Sequence, residues 1–347
     1  MKFLSDKALD RLRDTSTVPN LEGTRYALID RVARGGMGIV YAARDEMLDR
    51  RVALKVLDAP DRNGSLARRV LREAQILARL EHPGIVPVHD VGTLQDGRVF
   101  YTMKFVEGHR LDKYVESVES VPDRLRLFLR ICDAVAFAHA HGVVHRDLKP
   151  ANVMVGPFGE VLVLDWGLAK ILPESPGAGG EAEADATTLD GDTDTHVGFA
   201  TPEGGDTTAH GAVMGTPGYM SPEQERGENQ RVDERSDIFS LGELLRFLVS
   251  GASSIDASPL QTRSEPPDKS LAAICGKAAA TNPQDRYATV VQLAADVSRH
   301  LDGLPITARK ENFVDRAHRF YRRHSIAILL ITAYLLMRVV LLLISHR

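Results

Sequence analysis

This chain of 347 residues has little of what marks a metal-built or exported protein. It has two cysteines, Cys132 and Cys275, far apart and each in helix-like sequence. No metal-ligand spacing results and no disulfide framework is expected; both are read as small buried residues in a reducing compartment. The N-terminus lacks the apolar core of a signal peptide, so the bulk of the chain is not expected to be exported. There is no internal repeat. A net charge of −4 gives no reason to expect nucleic-acid binding. What remains is ordinary globular composition, 44% hydrophobic and 26% charged, enough for one large domain or two modest ones.

The chain changes character several times. Residues 1–20 are a polar leader in which Phe3, Leu4, Ala8, Leu9 and Leu12 have amphipathic spacing; a frayed end and a docking helix both fit it. From Leu21 the pattern is strand-rich. Tyr26–Val32, Ile39–Arg44, Arg51–Leu57, Ile85–Val91 and Val99–Phe105 are short β-branched or apolar runs broken by glycine or charge. Between the third and fourth, Leu66–Leu80 carries Val70, Ala74, Leu77 and Leu80 at helical spacing. A helix-rich part follows: Asp123–His141, Ser236–Ser250 and Asp285–Leu301 read as helices. Ile171–Met214 stands apart, with nine acidic residues, no Lys or Arg, and many Gly, Ala and Thr. Such a stretch buries little and is expected to be a mobile insert.

Chemistry concentrates in four places. Arg34-Gly35-Gly36-Met37-Gly38-Ile39-Val40 lies between two strands, and glycines there let a backbone approach phosphates; alone the signal is weak. Lys55 lies in an apolar strand, Val52-Ala53-Leu54-Lys55, where an ammonium needs negative charge, and Glu73 on the next helix is a partner. A solvated strand lysine is the competing reading. His145-Arg146-Asp147-Leu148-Lys149-Pro150-Ala151-Asn152 is the most specific string. In it Asp147 can orient a substrate hydroxyl as general base, Lys149 can neutralise a transferred phosphate, and Asn152 offers a neutral oxygen to a metal. Asp165, in Asp165-Trp166-Gly167, follows a hairpin of Asn152–Val155 and Glu160–Leu164 turned at residues 156–159; a carboxylate at a strand end suits magnesium.

Taken in order with Ser221-Pro222-Glu223, these motifs resemble the eukaryotic-type protein kinase family. The run Gly215-Thr216-Pro217-Gly218-Tyr219-Met220-Ser221-Pro222-Glu223 is similar to its bacterial serine/threonine branch, and the resemblance covers residues 21–304. It implies an α+β bilobal fold, a β-rich N-lobe and a helical C-lobe with ATP and Mg2+ between them. It further implies that Gly35, Gly36 and Gly38 cover the phosphates and that Lys55, set by Glu73, holds the α- and β-phosphates. Asp147 would be the catalytic base, with Lys149 beside it, and Asn152 and Asp165 the metal ligands. Val40 and Ala53 would bind the nucleotide, Met103 would be the gatekeeper, and Lys104–Val106, with Phe105 between them, the hinge contacting adenine. Glu223 would pair with Arg286, and Asp237 would anchor the catalytic loop. Leu77, Val88, His145 and Trp166 would stack as a spine between the lobes. Lys149 and Thr216 favour serine or threonine as acceptor.

Three departures stand out. Ala33 replaces the first loop glycine, from which weaker ATP binding is expected. Trp166 replaces the family's phenylalanine, and its larger ring must still fit the spine. Residues 251–270 are short and polar where a docking helix is usual. The insert lies within the activation segment. Arg146 resembles kinases switched on by phosphorylation there, with Thr187, Thr188, Thr193, Thr195, Thr201, Thr207 and Thr208 as candidates or as incidental linker residues.

The tail, residues 325–344, is almost wholly apolar, and twenty helical residues span about 30 Å, a bilayer's hydrocarbon thickness. Arg338 lies toward its end, where it can snorkel. Arg309, Lys310, Arg316, Arg319, Arg322 and Arg323 precede it. The positive-inside rule then gives a single-pass membrane protein with a cytoplasmic kinase domain, and the basic stretch 305–324 is a site for anionic lipid. Only Ser345, His346 and Arg347 would emerge beyond. The expected activity is phosphoryl transfer from Mg·ATP to protein Ser/Thr hydroxyls, including autophosphorylation in a homodimer, within membrane signalling. A catalytically silent scaffold and an unrelated nucleotide-binding module are the alternatives; the first requires a missing catalytic group, the second an accidental catalytic loop.

Overall fold

A computed structural model describes residues 18–35, 38–57, 65–166, 169–171, 216–250, 268–309, 331–334 and 337–338. The N-terminal part is a five-stranded sheet with one helix. β1 (Tyr26–Gly35), β2 (Gly38–Asp45) and β3 (Arg50–Val56) form a meander. Helix α1 (Ser65–Arg79) crosses to β4 (Val88–Thr93) and β5 (Val99–Lys104). The spatial order is β1-β2-β3-β5-β4, with every neighbouring pair antiparallel. Each predicted strand is present, with its ends displaced by no more than three residues.

Alternation along the strands divides the sheet into two faces. Val52, Leu54 and Val56 of β3 and Phe100 of β5 join Tyr26, Ile39 and Tyr41 in an outer cluster. The intervening residues, Ala53 and Lys55 on β3 and Tyr101 and Met103 on β5, face the other way. On that side α1 buries Val70, Glu73, Ala74 and Leu77, the i, i+3, i+4, i+7 stripe of an amphipathic helix. At Gly38 a Cβ would collide with the backbone carbonyl of Val56, so only glycine lets β2 run this close to β3.

The second part is helical. After β6 (His109–Arg110), α2 (Val121–Ala140) begins at Ser120, whose side chain accepts the Asp123 N–H, with Pro122 in the first turn. Its buried stripe includes Leu125, Phe128, Ile131, Cys132 and Val135. Four short strands follow: β7 (Val143–Val144), β8 (Val153–Val155), β9 (Val161–Val163) and β10 (Lys170–Ile171). The sheet orders are β6-β8-β9 and β10-β7. Helix α3 (Glu234–Ser250) is buried almost all round, the mark of a helix at the centre of a core. α4 (Lys269–Ala278) packs against α3, and α5 (Val290–Leu301) packs against α2 and α4.

Two expectations need correcting. The stretch Asp285–Leu301 is not one helix. A 3-10 turn at Pro283–Asp285 gives way to extended backbone at Arg286, and α5 starts only after Thr289, which caps it by accepting the Gln292 N–H. The break has a cause: Arg286 is drawn inward to Glu223, and the Tyr287 hydroxyl donates to Asp296. Helix α4 was not foreseen; Asp268 caps it, and Leu271, Ile274, Cys275 and Ala278 bury a stripe beyond the polar segment that precedes it.

Both cysteines are buried and unpaired, and burial pushes the Cys275 thiol up to about 12. No helix among the described residues is long and apolar enough to cross a membrane. Of the predicted span, only residues 331–334 and 337–338 are described, and they are helical and exposed. The leader up to residue 17, Gly36, all seven threonine candidates and the basic stretch 310–324 lie outside the described residues.

Candidate active site

Between the two parts lies a cluster of charge that neither core would tolerate unpaired. Lys55 on β3 is 8% exposed, and its ammonium donates to both oxygens of Glu73 at 2.9 Å and to Asp165 Oδ1 at 3.3 Å. Burial works against that ammonium, but the acidic groups around it, Tyr101, Glu73 and Asp165, outweigh it and hold its pKa well above the ordinary lysine value. In return Lys55 holds the Asp165 carboxyl below the usual carboxylate range, against the desolvation that would raise it. Glu73 is 2% exposed and accepts a further bond from the Tyr101 hydroxyl at 2.8 Å.

The loop from His145 to Asn152 is fixed from beneath by one residue. Asp237, fully buried on α3, accepts the backbone N–H groups of His145 and Arg146 at 2.8 Å each, and its Oδ2 also contacts His139 Nε2. Burial would raise this carboxyl, but His139 overrides it and the pKa falls. Arg146 and Asp165 both have positive φ, 72° and 58°, conformations that cost about 1–3 kcal/mol each unless the surroundings impose them. At Arg146 they do: its N–H is held by Asp237, and its carbonyl accepts Gln224 Nε2 at 2.7 Å. His145 links the loop to Asp165, since Nε2 meets the Leu164 carbonyl at 2.9 Å while Nδ1 accepts the Asp147 N–H at 3.2 Å. One neutral tautomer satisfies both contacts.

Asp147 thus stands at the mouth of the cleft with its carboxylate aimed. Lys149 Nζ donates to Oδ2 at 2.7 Å, Thr216 Oγ1 donates to Oδ1 at 3.0 Å, and Lys149 also reaches Thr216. Asn152 Nδ2 donates to the Asp147 carbonyl at 2.8 Å and to Oδ2 at 3.0 Å. With both amide hydrogens committed, the Asn152 carbonyl oxygen is the group left for a hard cation. Together with the half-exposed Asp165 carboxylate, it makes an oxygen pair of the kind magnesium accepts when substrate phosphates supply further ligands. The residues present fit that ion.

Residues 26–297 match the family described as "Protein kinase domain". The chain belongs to the protein kinase family. Among curated proteins, the kinase is 32% identical to the serine/threonine-protein kinase PknD of Protochlamydia amoebophila, over 84% of this chain and 31% of the relative. It is 36% identical to PknD of Chlamydia trachomatis serovar D, over 81% of this chain and 32% of the relative. The kinase spans about a third of the length of these relatives. Among solved structures, the PknI kinase domain of Mycobacterium tuberculosis superposes with a TM-score of 0.55 at 26% identity, covering 79% of this chain and 95% of that one.

Within the kinase, strand register brings several of the remaining candidate residues together. Val40 lies opposite Lys55, and Ala53 opposite Met103, across three adjacent strands. Phe105 and Val106 follow β5, and Arg51 lies over the Phe105 ring at 4.2 Å. Gly35 and Gly38 face each other across the β1–β2 turn. Ala33 is paired with Val40 and exposed. Trp166 is fully buried, 4.6 Å from the His145 ring, and its indole donates to the Val163 carbonyl at 3.4 Å; the larger ring fits. Leu77 and the half-buried Val88 belong to the same core as Trp166. Below the cleft Arg286 makes two bonds to Glu223, at 2.8 and 2.9 Å, and Ser236 adds a third at 2.6 Å.

Sequence reasoning missed two contributors. Thr216 was read for acceptor class, yet it completes the Asp147–Lys149 triangle. Tyr101 was not singled out at all. Its signal was parity: two residues before Met103 on one strand, it must face the same cleft.

Proposed function

We propose that this chain is a catalytically competent serine/threonine kinase that transfers the γ-phosphate of Mg·ATP to protein hydroxyls. The observation that carries it is the Asp147 carboxylate, held by Lys149, Thr216 and Asn152 on the loop that Asp237 fixes. Across the cleft, the Lys55–Glu73 pair is closed and touches Asp165. Every group needed for positioning and charge neutralisation is present. In the proposed step Asp147 orients the acceptor hydroxyl and takes its proton as the oxygen attacks phosphorus in line. Lys149 offsets negative charge on the transferred phosphoryl group, and Lys55 holds the phosphates that remain. Magnesium at Asn152 and Asp165 would neutralise the phosphate oxygens. Lys149 and Thr216, both bonded to Asp147, support serine or threonine as acceptor, consistent with the serine/threonine relatives.

Residues 325–344 support a membrane tether with the kinase domain on the side of the basic flank, and the threonine-rich insert supports self-phosphorylation between two copies. The test of transfer is radiolabel from γ-labelled ATP with the full chain and a general basic protein as acceptor, beside Asp147→Asn. Label on serine or threonine that the variant abolishes is expected; equal label in both would sink the assignment of Asp147. For the tether, sedimentation with vesicles that survives alkaline wash is expected of the full chain but not of a chain ending at residue 324. Loss of the full chain on washing overturns it.

A further inference from the structure

Lys55 and Tyr101 stand directly opposite each other in the β3–β5 ladder. Opposed residues of an antiparallel pair project from the same face with Cβ atoms about 5 Å apart. The Tyr101 ring therefore runs alongside the Lys55 stem, with the ammonium 5.7 Å from the ring centroid, and the hydroxyl reaches on to Glu73 Oε1 at 2.8 Å. Glu73 accepts three bonds, two from Lys55 and one from Tyr101, and all three residues are buried. A phenylalanine at position 101 would fill the same space. The hydroxyl is an addition to the packing, and it meets the carboxylate on which the geometry of Lys55 depends. If α1 moved outward, the Tyr101 hydroxyl and the Lys55 ammonium would both be left buried without Glu73, a costly arrangement.

We propose that Tyr101 is a positioning residue that locks Glu73, and with it Lys55 and helix α1, in the transfer-competent arrangement before nucleotide arrives. The inference rests on the transferase reading above, but its test separates the two. Tyr101→Phe removes one oxygen atom and leaves the ring. In the full chain, kcat/KM for ATP is expected to fall about tenfold, the effect of losing one hydrogen bond to a charged group. In a Glu73→Ala background the same change is expected to alter kcat/KM by less than about twofold, because the acceptor is already gone. An equal loss in both backgrounds, or no loss in either, overturns the proposal, since packing alone would give that result. Amide hydrogen exchange without ATP supplies the second readout. Faster exchange confined to residues 65–79 in Tyr101→Phe is expected. Unchanged exchange there overturns the lock. Faster exchange in a protein that transfers no phosphate supports the lock and sinks the transfer reading instead.

Discussion

Two buried carboxylate–cation pairs occupy the two halves of this kinase, and their surroundings differ. Arg286 and Glu223 are almost completely enclosed, and the guanidinium also donates to the carbonyls of Ala280, Thr281 and Arg235. Every donor is spent on the protein itself. Lys55 and Glu73 are buried too, but they stand next to a half-exposed Asp165. Planar arginine suits the first site because its fixed fork meets a carboxylate and three carbonyls at once. A lysine suits the second under the proposed function, because a point charge on a flexible stem could exchange Asp165 for a phosphate. One pair is closed on the protein itself; the other, under the proposed function, serves the chemistry.

That contrast can be broken most directly by Lys55→Met. Transfer is expected to fall about 100- to 1,000-fold, the usual effect of removing one preorganised charge, while urea unfolding shifts less than in the next variant. Arg286→Ala should do the reverse. It leaves Glu223 buried and uncompensated, so the unfolding free energy is expected to drop by about 3–5 kcal/mol. Activity per folded molecule is expected to persist at low temperature. If the two variants show the same ratio of lost activity to lost stability, the division is wrong.

Acid sharpens the same comparison. Burial would raise the Glu223 carboxyl, but the Arg286 and Ser236 hydrogen bonds bring it down to about 2 from an ordinary 4.5. A depressed folded-state value means that the unfolded chain binds the proton more tightly. The associated stability, roughly 3 kcal/mol, is therefore complete above about pH 4.5 and lost as pH falls toward 2. Unfolding curves collected across that window should show a steep slope in the wild type and a flatter one in Glu223→Gln. A smaller effect is expected from Ala33→Gly, a tightening of ATP binding on the order of twofold by relaxing the turn beside Gly35; calorimetric titration that finds weaker binding would remove Ala33 as a handicap.

The site was legible because its chemistry sits in short contiguous strings. His145–Asn152 and Asp165 were picked out as one cluster and lie together in the structure, and the spacing of Val70, Ala74 and Leu77 turns Glu73 toward Lys55. Other relations were hidden by distance along the chain. Asp237 could be tied to its loop only through the family resemblance, because the bond to His145 closes over 92 positions. Tyr101 was overlooked because an aromatic residue in a strand reads as core, and only the register of β3 against β5 shows what its hydroxyl meets. The boundary at Thr289 was missed because helical periodicity on its C-terminal side masked a stop imposed by Arg286 and Tyr287, whose partners are elsewhere.

The indole of Trp166 has one further consequence. It is the sole tryptophan in the chain, buried beside the His145 ring and adjacent to Asp165. Long-wavelength excitation of this protein therefore addresses a single chromophore, placed where the His145–Asn152 loop meets the strand end that carries Asp165. Its emission is an intrinsic optical gauge of the contact between the His145–Asn152 loop and the strand end that carries Asp165, readable during nucleotide titration or stopped-flow mixing without any label.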